Sequence, residues 1–302
     1  MKKLLRWLGI AVVVLVCALL LGASIVYAVS SRRINRRYNV AAEPVAIPTD
    51  SASRARGRHL VEAVAKCPDC HRANLGGGRF IDDPALARVA APNLTRGRGG
   101  AGNRFRDADW VRVIRHGVLP GGRGAIIMPA EAYVHLSDAD LGAVIAYVKS
   151  VPPVDTTWPP PRFGPVGRTL LALDKLPVFP AASIDHARRN VATPASDTTV
   201  AYGRYLANTG GCHSCHNAAL SGGANAAGPP DSPPAANLTP TGLAGWTEEM
   251  FVRVLREGKK PDGSAVDDNF MPWRSSGKMS DAEIHAVWLY LRSVPPKEMG
   301  AQ

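Results

Sequence analysis

The chain has 302 residues, which is enough for two domains of ordinary size. Its formal net charge of +11 would ordinarily suggest a nucleic-acid partner, but seven of the cations lie in the first 40 residues, where no acidic residue occurs. Subtracting these seven leaves +4 for the rest of the chain. The basicity therefore belongs to the amino-terminal segment, and no nucleic-acid partner is expected.

An uncharged stretch, dense in Val, Leu, Ile and Ala, runs from residue 7 to residue 29. Its 23 residues are enough to cross a bilayer, which needs roughly 20. A cleaved signal peptide is the alternative, since residues 26–28 offer a small-residue cleavage site, but the apolar region of a signal peptide has about 7 to 15 residues. We predict an uncleaved transmembrane anchor over residues 1–31, with Cys17 as a small apolar residue inside it.

The motif C-x-x-C-H occurs twice, at residues 67–71 and 212–216. Two thiols at this spacing can each form a thioether to one edge of a porphyrin, and the histidine that follows can reach the iron. The residues concerned are Cys67, Cys70, His71, Cys212, Cys215 and His216. We predict two covalently attached haem c groups, one at each motif.

Two other sites use C-x-x-C pairs, a redox dithiol and a zinc site. A thioredoxin-like dithiol would follow a strand in a βαβ pattern, which is absent from this sequence. A four-cysteine zinc site would have to bring together two pairs that are far apart in the chain. Both remain alternatives, although the second complete motif favours haem.

The orientation of the anchor follows from the haem prediction, because positive charge flanks the apolar stretch on both sides and does not decide it. Covalent haem is added outside the cytoplasm. We therefore expect a single pass through a bacterial inner membrane, with the chain after residue 31 in the periplasm. The arginines that follow the span can meet anionic lipid headgroups there.

After a tether over residues 32–51, which has no clear periodicity, the sequence repeats itself. Each copy has an apolar helical stripe before C-x-x-C-H, an Asn-Leu-Thr stretch after it, and two further helices. The helix signals shared by the copies are a glycine stop (Gly117, Gly258), a serine N-cap (Ser137, Ser280) and a last helical residue before Val-Pro-Pro (Ser150, Ser293).

The repeat predicts domains over residues 52–153 and 196–302 and a proline-rich linker over residues 154–195. The linker holds a Leu-rich piece after Gly164 that predicts a short helix, either packed between the domains or resting on the membrane surface. The predicted fold class is all-α, with two tandem domains after an N-terminal transmembrane helix.

Each copy also holds a methionine followed by proline, Met128 and Met271, and the two align at the constant offset of 143 residues found for the helices after them. A thioether is a soft ligand that favours ferrous iron. We therefore predict Met128 and Met271 as the sixth ligands, opposite His71 and His216. With both axial positions filled by protein, the expected function is outer-sphere electron transfer.

Other methionines and histidines compete for the sixth position. Met250 and Met279 are interpreted as core residues. A first haem with two histidine ligands is the alternative, with His116 or His135 as the second ligand, but neither has a histidine counterpart in the second copy. The residues interpreted as surface or structural histidines are His59, His186 and His213, while His285 is a weaker ligand candidate.

Both copies resemble class I cytochromes c in the order of the first helix, the C-x-x-C-H motif, the Met-Pro loop and the closing helix. The resemblance covers roughly 100 residues in each copy and implies the fold of that family. It also implies that Gly57 and Gly203 lie where the first helix crosses the last, near Tyr147 and Tyr290.

Residues 92–94, Pro-Asn-Leu, resemble the family's Gly-Pro-Asn-Leu stretch, whose proline carbonyl accepts the ring N–H of the proximal histidine. Here Ala91 replaces the glycine. The second copy has Ala236 at the proline position, so an equivalent hydrogen bond would have to come from the carbonyl of Ala236.

The tandem arrangement, the tether and the Asn-Leu-Thr stretches are similar to the cytochrome subunits of bacterial periplasmic dehydrogenases. The resemblance implies an electron-transfer protein and not an enzyme. Its expected partners are a periplasmic dehydrogenase or quinol-oxidising complex as donor and a downstream cytochrome or terminal oxidase as acceptor. A dihaem peroxidase, which needs an open sixth site, and a haem-based sensor, which needs an output domain, are the alternatives.

Overall fold

The computed structural model describes residues 2–187, 192, 194, 198–224 and 232–302. The predicted boundary between the linker and the second domain, at residues 195 and 196, lies outside these residues. The α-helices of the described residues are α1 (Lys2–Ile34), α2 (Ser51–His59), α3 (Cys67–His71), α4 (Asp107–His116), α5 (Ala130–Tyr133), α6 (Asp138–Ser150), α7 (Pro165–Ala172), α8 (Val200–Thr209), α9 (Cys212–His216), α10 (Glu248–Glu257), α11 (Trp273–Ser276) and α12 (Asp281–Ser293).

Helix α1 has 33 residues and a mean hydropathy of 2.9 over its most apolar window, none of which is buried in the rest of the protein. By length and composition it is a candidate membrane span. The predicted anchor over residues 1–31 therefore coincides with an apolar helix that continues three residues further, to Ile34.

Local signals in the sequence set the helix boundaries. The Ser280 side chain accepts from the Glu283 backbone N–H, and the Glu283 carboxylate accepts from the Ser280 N–H, which completes the predicted capping box. Gly117 and Gly258 end α4 and α10 in the left-handed region, with φ of 63° and 66°. These predictions are confirmed.

The first and last helices of each domain cross at a glycine. A Cβ on Gly57 would overlap the carbonyl oxygen of Ala143 on α6, and one on Gly203 would overlap that of Ala286 on α12. Such a close approach of two backbones is open only to glycine. Next to the crossings lie the Cβ atoms of Tyr147 and Tyr290, as the family resemblance implied.

The apolar stripes of the closing helices form the core of each domain, as predicted. Their residues are buried on both helices: Leu141, Val144, Ile145, Val148, Ile284, Val287, Trp288 and Leu291. They pack against the first helices of the two domains. In the first domain that helix changes to a short π-helix at Leu60–Val64, directly before the C-x-x-C-H motif.

A small antiparallel sheet lies beside the first domain and was missed by the all-α prediction. Strands β1 (Gly78–Asp83), β2 (Ala87–Ala91) and β3 (Arg162–Phe163) pair in that order. Gly78 pairs with Ala91, and Ala87 pairs with Phe163. The pairing of β3, which comes from the linker, depends on contacts between distant parts of the chain, which local patterns do not report.

The predicted tether packs along the first domain. Ala42, Val45 and Ile47 lie against the hydrophobic core, and the Glu43 carboxylate lies 3.6 Å from Arg115 and 3.4 Å from His116. Arg115 and His116 are themselves buried on α4. Apolar contacts and charge pairing therefore hold the tether in place, although its sequence has no helix or strand periodicity.

The short helix predicted after Gly164 is α7, and it packs against the end of the candidate membrane span. The Arg168 guanidinium donates to the hydroxyls of Ser30 and Ser31, at 3.0 and 3.1 Å, and stacks over the ring of Tyr27. Arg33 of α1 also forms an ion pair with Asp174, which lies just after the end of α7. The sequence left open a position between the domains or on the membrane surface; the structure places α7 against the carboxyl end of α1.

The two domains meet through a polar network whose two carboxylates are buried and whose cations are half-buried. Arg56 on α2 donates twice to Asp140 of its own domain, at 3.0 Å, and once to Glu283 of the other domain, at 3.2 Å. His59 lies 2.6 Å from Glu283, and the Tyr205 hydroxyl of the second domain donates to Asp140 at 2.7 Å. Each domain thus supplies one carboxylate that is bonded from both sides of the interface.

The Glu283 carboxyl is ionised in this network. Burial opposes its ionisation, but hydrogen bonds from His59 and the Ser280 N–H, together with the charges of His59 and Arg56, lower the pKa of Glu283 to about 2. Its ordinary value is 4.5. A carboxyl whose pKa is lower in the folded state stabilises the fold above its unfolded pKa, and this contribution disappears as the pH falls from about 4.5 to about 2.

We expect Glu283→Gln to destabilise the protein by about 3 kcal/mol at pH 7, because Arg56 and His59 lose their shared charge partner. The deficit relative to the wild type should shrink as the pH falls from 4.5 towards 2, where the wild-type carboxyl is itself protonated. Urea unfolding at pH 7, 4 and 3 measures both effects.

Asp281→Asn is the matched control, since Asp281 lies on the same helix turn and pairs with Arg256 at 2.6 Å while 93% of its side chain is exposed. An exposed pair of this kind contributes at most about 1 kcal/mol. Equal destabilisation by the two substitutions would contradict a special role for Glu283.

Candidate functional site

Each C-x-x-C-H motif forms a five-residue helix, α3 or α9, that begins after a residue in the left-handed region. That residue is Lys66 in the first domain, with φ of 53°, and Gly211 in the second, with φ of 73°. The sharp turn redirects the chain from the long first helix of the domain into the short one. As a result the cysteines and the histidine of each motif share one turn of helix.

Both motif histidines hydrogen-bond to a backbone carbonyl through the same ring nitrogen. Nδ1 of His71 lies 2.8 Å from the Pro92 carbonyl oxygen, and Nδ1 of His216 lies 2.7 Å from that of Ala236. The replacement of proline by alanine in the second copy therefore leaves this bond in place. Because Nδ1–H is committed to a carbonyl, Nε2 is the nitrogen available to a metal.

The electrostatics of both histidines suit a metal ligand. Burial lowers the pKa of His71 and of His216, and the hydrogen bond to the carbonyl only partly opposes this. Both rings are therefore neutral at pH 7, the form in which an imidazole can ligate iron.

The carbonyls that receive these bonds are held by the repeated Asn-Leu-Thr stretches. The side-chain oxygen of Asn93 accepts from the N–H and the hydroxyl of Thr95, at 2.9 and 2.8 Å, while its amide donates to the Val154 carbonyl at 2.6 Å. The hydrogen bond to Val154 ties Asn93, the residue after Pro92, to the segment that follows the closing helix α6.

Asn237 and Thr239 repeat the arrangement in the second domain, with distances of 2.9 and 2.8 Å, and Asn237 donates to the Lys297 carbonyl at 2.7 Å. All four Asn and Thr side chains are buried. The sequence prediction did not assign them a role, although their repetition at matching positions was the available signal. These Asn and Thr side chains hold the carbonyl of Pro92 or Ala236 in position, and that carbonyl in turn orients the proximal histidine.

The four motif cysteines lie at partly buried positions and form no disulfide with one another. Burial, with a smaller effect of Cys70, raises the pKa of Cys67 to about 12, and burial also raises the pKa values of Cys70, Cys212 and Cys215. A redox dithiol needs a lowered thiol pKa. The described residues also contain no group of three or more His, Cys, Asp or Glu side chains able to hold a metal ion, so a zinc site has no support there.

Met128 and Met271 occupy equivalent positions in the two domains. Each is partly buried against the core, and each is followed by a proline at the N-cap of a short helix, α5 or α11. The next backbone N–H, that of Ala130 or Trp273, donates to the methionine carbonyl at 2.7 Å. The two Met-Pro steps therefore begin their short helices in the same way, although the residue before the methionine has positive φ only in the first domain, at Ile127. The ligation itself stays a prediction.

The other methionines differ from this pair. Met279 is 8% exposed and belongs to the core, as predicted. Met250 was also predicted as a core residue but is 36% exposed. It lies in the first turn of α10, whose buried residues are Phe251, Val254 and Leu255, so the prediction placed it on the wrong side of the helix.

The competing histidines have partners of their own. His116 is fully buried, with Nε2 3.4 Å from Glu43 and Nδ1 3.2 Å from Nδ1 of His186. His285 lies 2.8 Å from Glu248. Both ring nitrogens of His116 are thus engaged away from the motif, which weakens His116 as the second ligand of a haem in the first domain.

The donor set of each domain therefore fits haem c. Two thiols three positions apart suit the two thioethers, a neutral imidazole with a fixed Nδ1 suits the proximal ligand, and a thioether side chain is available in the loop before α5 or α11. The same set is built twice, from residues that align across the repeat.

Family models match both copies. Residues 52–148 match the model described as cytochrome C oxidase, cbb3-type, subunit III, and residues 200–295 match the model described as cytochrome c. The chain thus contains two cytochrome c domains. Its two matched segments contain the two C-x-x-C-H motifs and both Met-Pro loops.

Curated relatives of this cytochrome include the fructose dehydrogenase cytochrome subunit of Gluconobacter japonicus, 27% identical over 285 residues, which cover 87% of this chain and 58% of the relative. The alcohol dehydrogenase (quinone), cytochrome c subunit, of Gluconobacter oxydans (strain 621H) is 29% identical, with coverage of 82% and 55%. The gluconate 2-dehydrogenase cytochrome c subunit of Pantoea cypripedii is 28% identical, with coverage of 84% and 63%. The chain thus spans a little over half of the length of these relatives.

Replacing Cys67, Cys70, Cys212 and Cys215 together by alanine should remove all covalently bound haem, because no thioether can then form. Haem staining on a denaturing gel measures the loss. Single variants Cys70→Ala and Cys215→Ala should impair maturation and reduce the staining.

Cys17→Ala is the matched control, since Cys17 lies in α1 and should leave the staining unchanged. Staining that persisted in the fourfold variant would rule out the attachment assignment.

Proposed function

We propose that this cytochrome is a membrane-anchored dihaem protein that transfers single electrons. It would take them from a periplasmic dehydrogenase or quinol-oxidising complex and pass them to a downstream cytochrome or terminal oxidase. The haem-binding domains span residues 52–153 and 196–302. The observation that carries the proposal is the pair of equivalent sites, each with a C-x-x-C-H helix and a histidine–carbonyl bond of 2.8 or 2.7 Å.

Haem c, when bound, supplies an iron that accepts and releases one electron. The residues of this chain would hold it in place: Cys67 and Cys70, or Cys212 and Cys215, at the porphyrin edge, and His71 or His216 as proximal ligand. Met128 and Met271 would fill the sixth positions, favour the reduced state and keep small molecules away from the metal. A pair of sites closed in this way suits electron transfer and not peroxide or gas chemistry.

The names of the relatives support the class of donor. Relatives named as cytochrome subunits of fructose, alcohol and gluconate 2-dehydrogenases each align over more than four fifths of this chain. A dehydrogenase that oxidises an alcohol, a sugar or a sugar acid is the corresponding donor for this protein.

The apolar helix α1 supports an inner-membrane location with the domains in the periplasm. Attachment of haem requires the motifs to be outside the cytoplasm, and the arginines at residues 32, 33, 36 and 37 would then lie at the outer headgroups. Packing of α7 on Tyr27, Ser30 and Ser31 would place the linker at the same level.

We expect Met128→Ala and Met271→Ala to keep covalent haem while each lowers the reduction potential of its own haem, because the soft ligand to ferrous iron is lost. The weak near-infrared charge-transfer band of a His–Met ferric haem should fall by about half in each single variant and disappear in the double variant. An anaerobic optical redox titration measures the potentials and the band together.

Met250→Ala and Met279→Ala are the matched controls, one exposed and one buried in the core, and both should retain the band and the potentials. An unchanged potential in Met128→Ala or Met271→Ala would exclude that methionine as a ligand. A wild-type reduced haem that binds carbon monoxide readily would favour a peroxidase or a sensor.

Protease added to spheroplasts should degrade both haem domains, whereas the same protease added to inside-out vesicles should leave them intact. Haem staining of the membrane fraction follows both reactions. Protection in spheroplasts together with cleavage in inside-out vesicles would reverse the proposed orientation.

A further inference from the structure

Lys66 has a backbone conformation that disfavours its side chain. Each domain has positive φ at four equivalent positions around its motif: before the first cysteine (Lys66, Gly211), directly after the histidine (Arg72, Asn217), at Leu75 and Leu220, and at Gly77 and Gly222. At the first position the second domain uses glycine, which adopts this conformation freely. The first domain keeps a lysine there in spite of the strain, and such a strained residue points to a role for its side chain.

The amine of Lys66 reaches across the domain interface. It donates to the carbonyl of Val64 in its own domain, at 3.2 Å, and to the carbonyl of Gly210 in the second domain. Gly210 lies two residues before Cys212. The side chain therefore joins the segment that precedes the first motif to the segment that precedes the second.

The two motifs face each other at this interface in a nearly symmetric way. The Asp69 carboxylate, inside the first motif, accepts from the hydroxyl of Ser275 on α11 at 2.6 Å. A Cβ placed on Gly211, at the start of the second motif, would lie 3.6 Å from the Cβ of Ala132 on α5. Ser275 and Ala132 are equivalent positions of the repeat, at the offset of 143 residues. The first motif thus contacts the short helix that follows the second domain's methionine, and the residue before the second motif lies beside the short helix that follows the first domain's methionine.

Lys66 directly precedes Cys67 in the chain, and its amine binds the carbonyl of Gly210, two residues before Cys212. Burial lowers the pKa of Lys66, while charge interactions with Cys212, Asp69 and Cys215 oppose that change. Once the sulfurs are thioethers they carry no charge. The Asp69 carboxylate and the two carbonyl oxygens then remain as the groups that stabilise the ammonium.

We propose that the ammonium of Lys66 is a shared electrostatic element that raises the reduction potentials of both haems. The proposal rests on the haem c assignment at both motifs. Reduction adds one electron to each iron, and a nearby positive charge stabilises the state with the extra electron, whereas Lys66 itself gains and loses nothing. Because the amine bonds to both halves of the interface, one side chain acts on two sites.

The test is an anaerobic redox titration of the full-length protein carrying Lys66→Met, which keeps the length of the side chain and removes the charge. We expect the reduction equilibrium constant of each haem to fall about tenfold, or about 59 mV for a one-electron couple. Lys66→Arg, which retains a positive charge, should stay within about threefold of the wild type for both haems.

Lys66→Gly separates electrostatics from folding, because glycine suits the left-handed backbone at this position and matches Gly211 of the second domain. This variant should be at least as stable to heat as the wild type and still show both lowered potentials. Lys149→Met is the control for loss of a lysine elsewhere on the first domain, where Lys149 pairs with Asp107, and it should leave both potentials unchanged.

Unchanged potentials in Lys66→Met and Lys66→Gly would overturn the proposal, and so would a shift confined to one haem. Either result is distinct from a failure of the proposed function. That failure would show in the wild type, as missing haem staining, a missing His–Met band or ready binding of carbon monoxide.

Discussion

The close crossing of the first and last helices in each domain is the constraint on which the rest of the structure depends. Gly57 and Gly203 let the backbones of α2 and α8 reach the carbonyls of Ala143 and Ala286 on the closing helices. The same four helices also supply the polar contacts between the domains. Arg56 and His59 of α2 bind Glu283 of α12, and Tyr205 of α8 binds Asp140 of α6. The crossing of the first and last helices therefore sets both the packing within each domain and the contacts between the domains, and it occurs once in each copy of the repeat.

The candidate haem sites are linked to that geometry through backbone groups. From His71 the contacts run through the Pro92 carbonyl to Asn93 and on to Val154, directly after the closing helix. In the second domain the corresponding path ends at Lys297. The position of each proximal histidine thus depends on where the last helix ends, and the Asn and Thr side chains between them make that dependence rigid. The identity of the residue that offers the carbonyl matters little, since Ala236 serves as well as Pro92.

Features with a local cause could be predicted from the sequence, and features that arise from distant contacts could not. The capping box of Ser280 and Glu283 needs four consecutive residues, and C-x-x-C-H needs five. In contrast, β3 pairs with a strand some 70 residues earlier, a spacing that no short window contains. The outward position of Met250 and the reach of Lys66 to Gly210 both depend on how elements pack, which a single residue type does not specify. The functional roles of Asn93 and Asn237 had a signal, their repetition, but its meaning required the fold.

The segment between α1 and the first domain is held to that domain at several points. Arg37 forms an antiparallel bridge with Arg123, the Tyr38 N–H donates to the Gly122 carbonyl at 2.8 Å, and Glu43 pairs with α4. A free chain of this length would let the domain sweep a wide volume around the end of α1. Fastened at these points, the first domain instead has a fixed height and a fixed face relative to that helix.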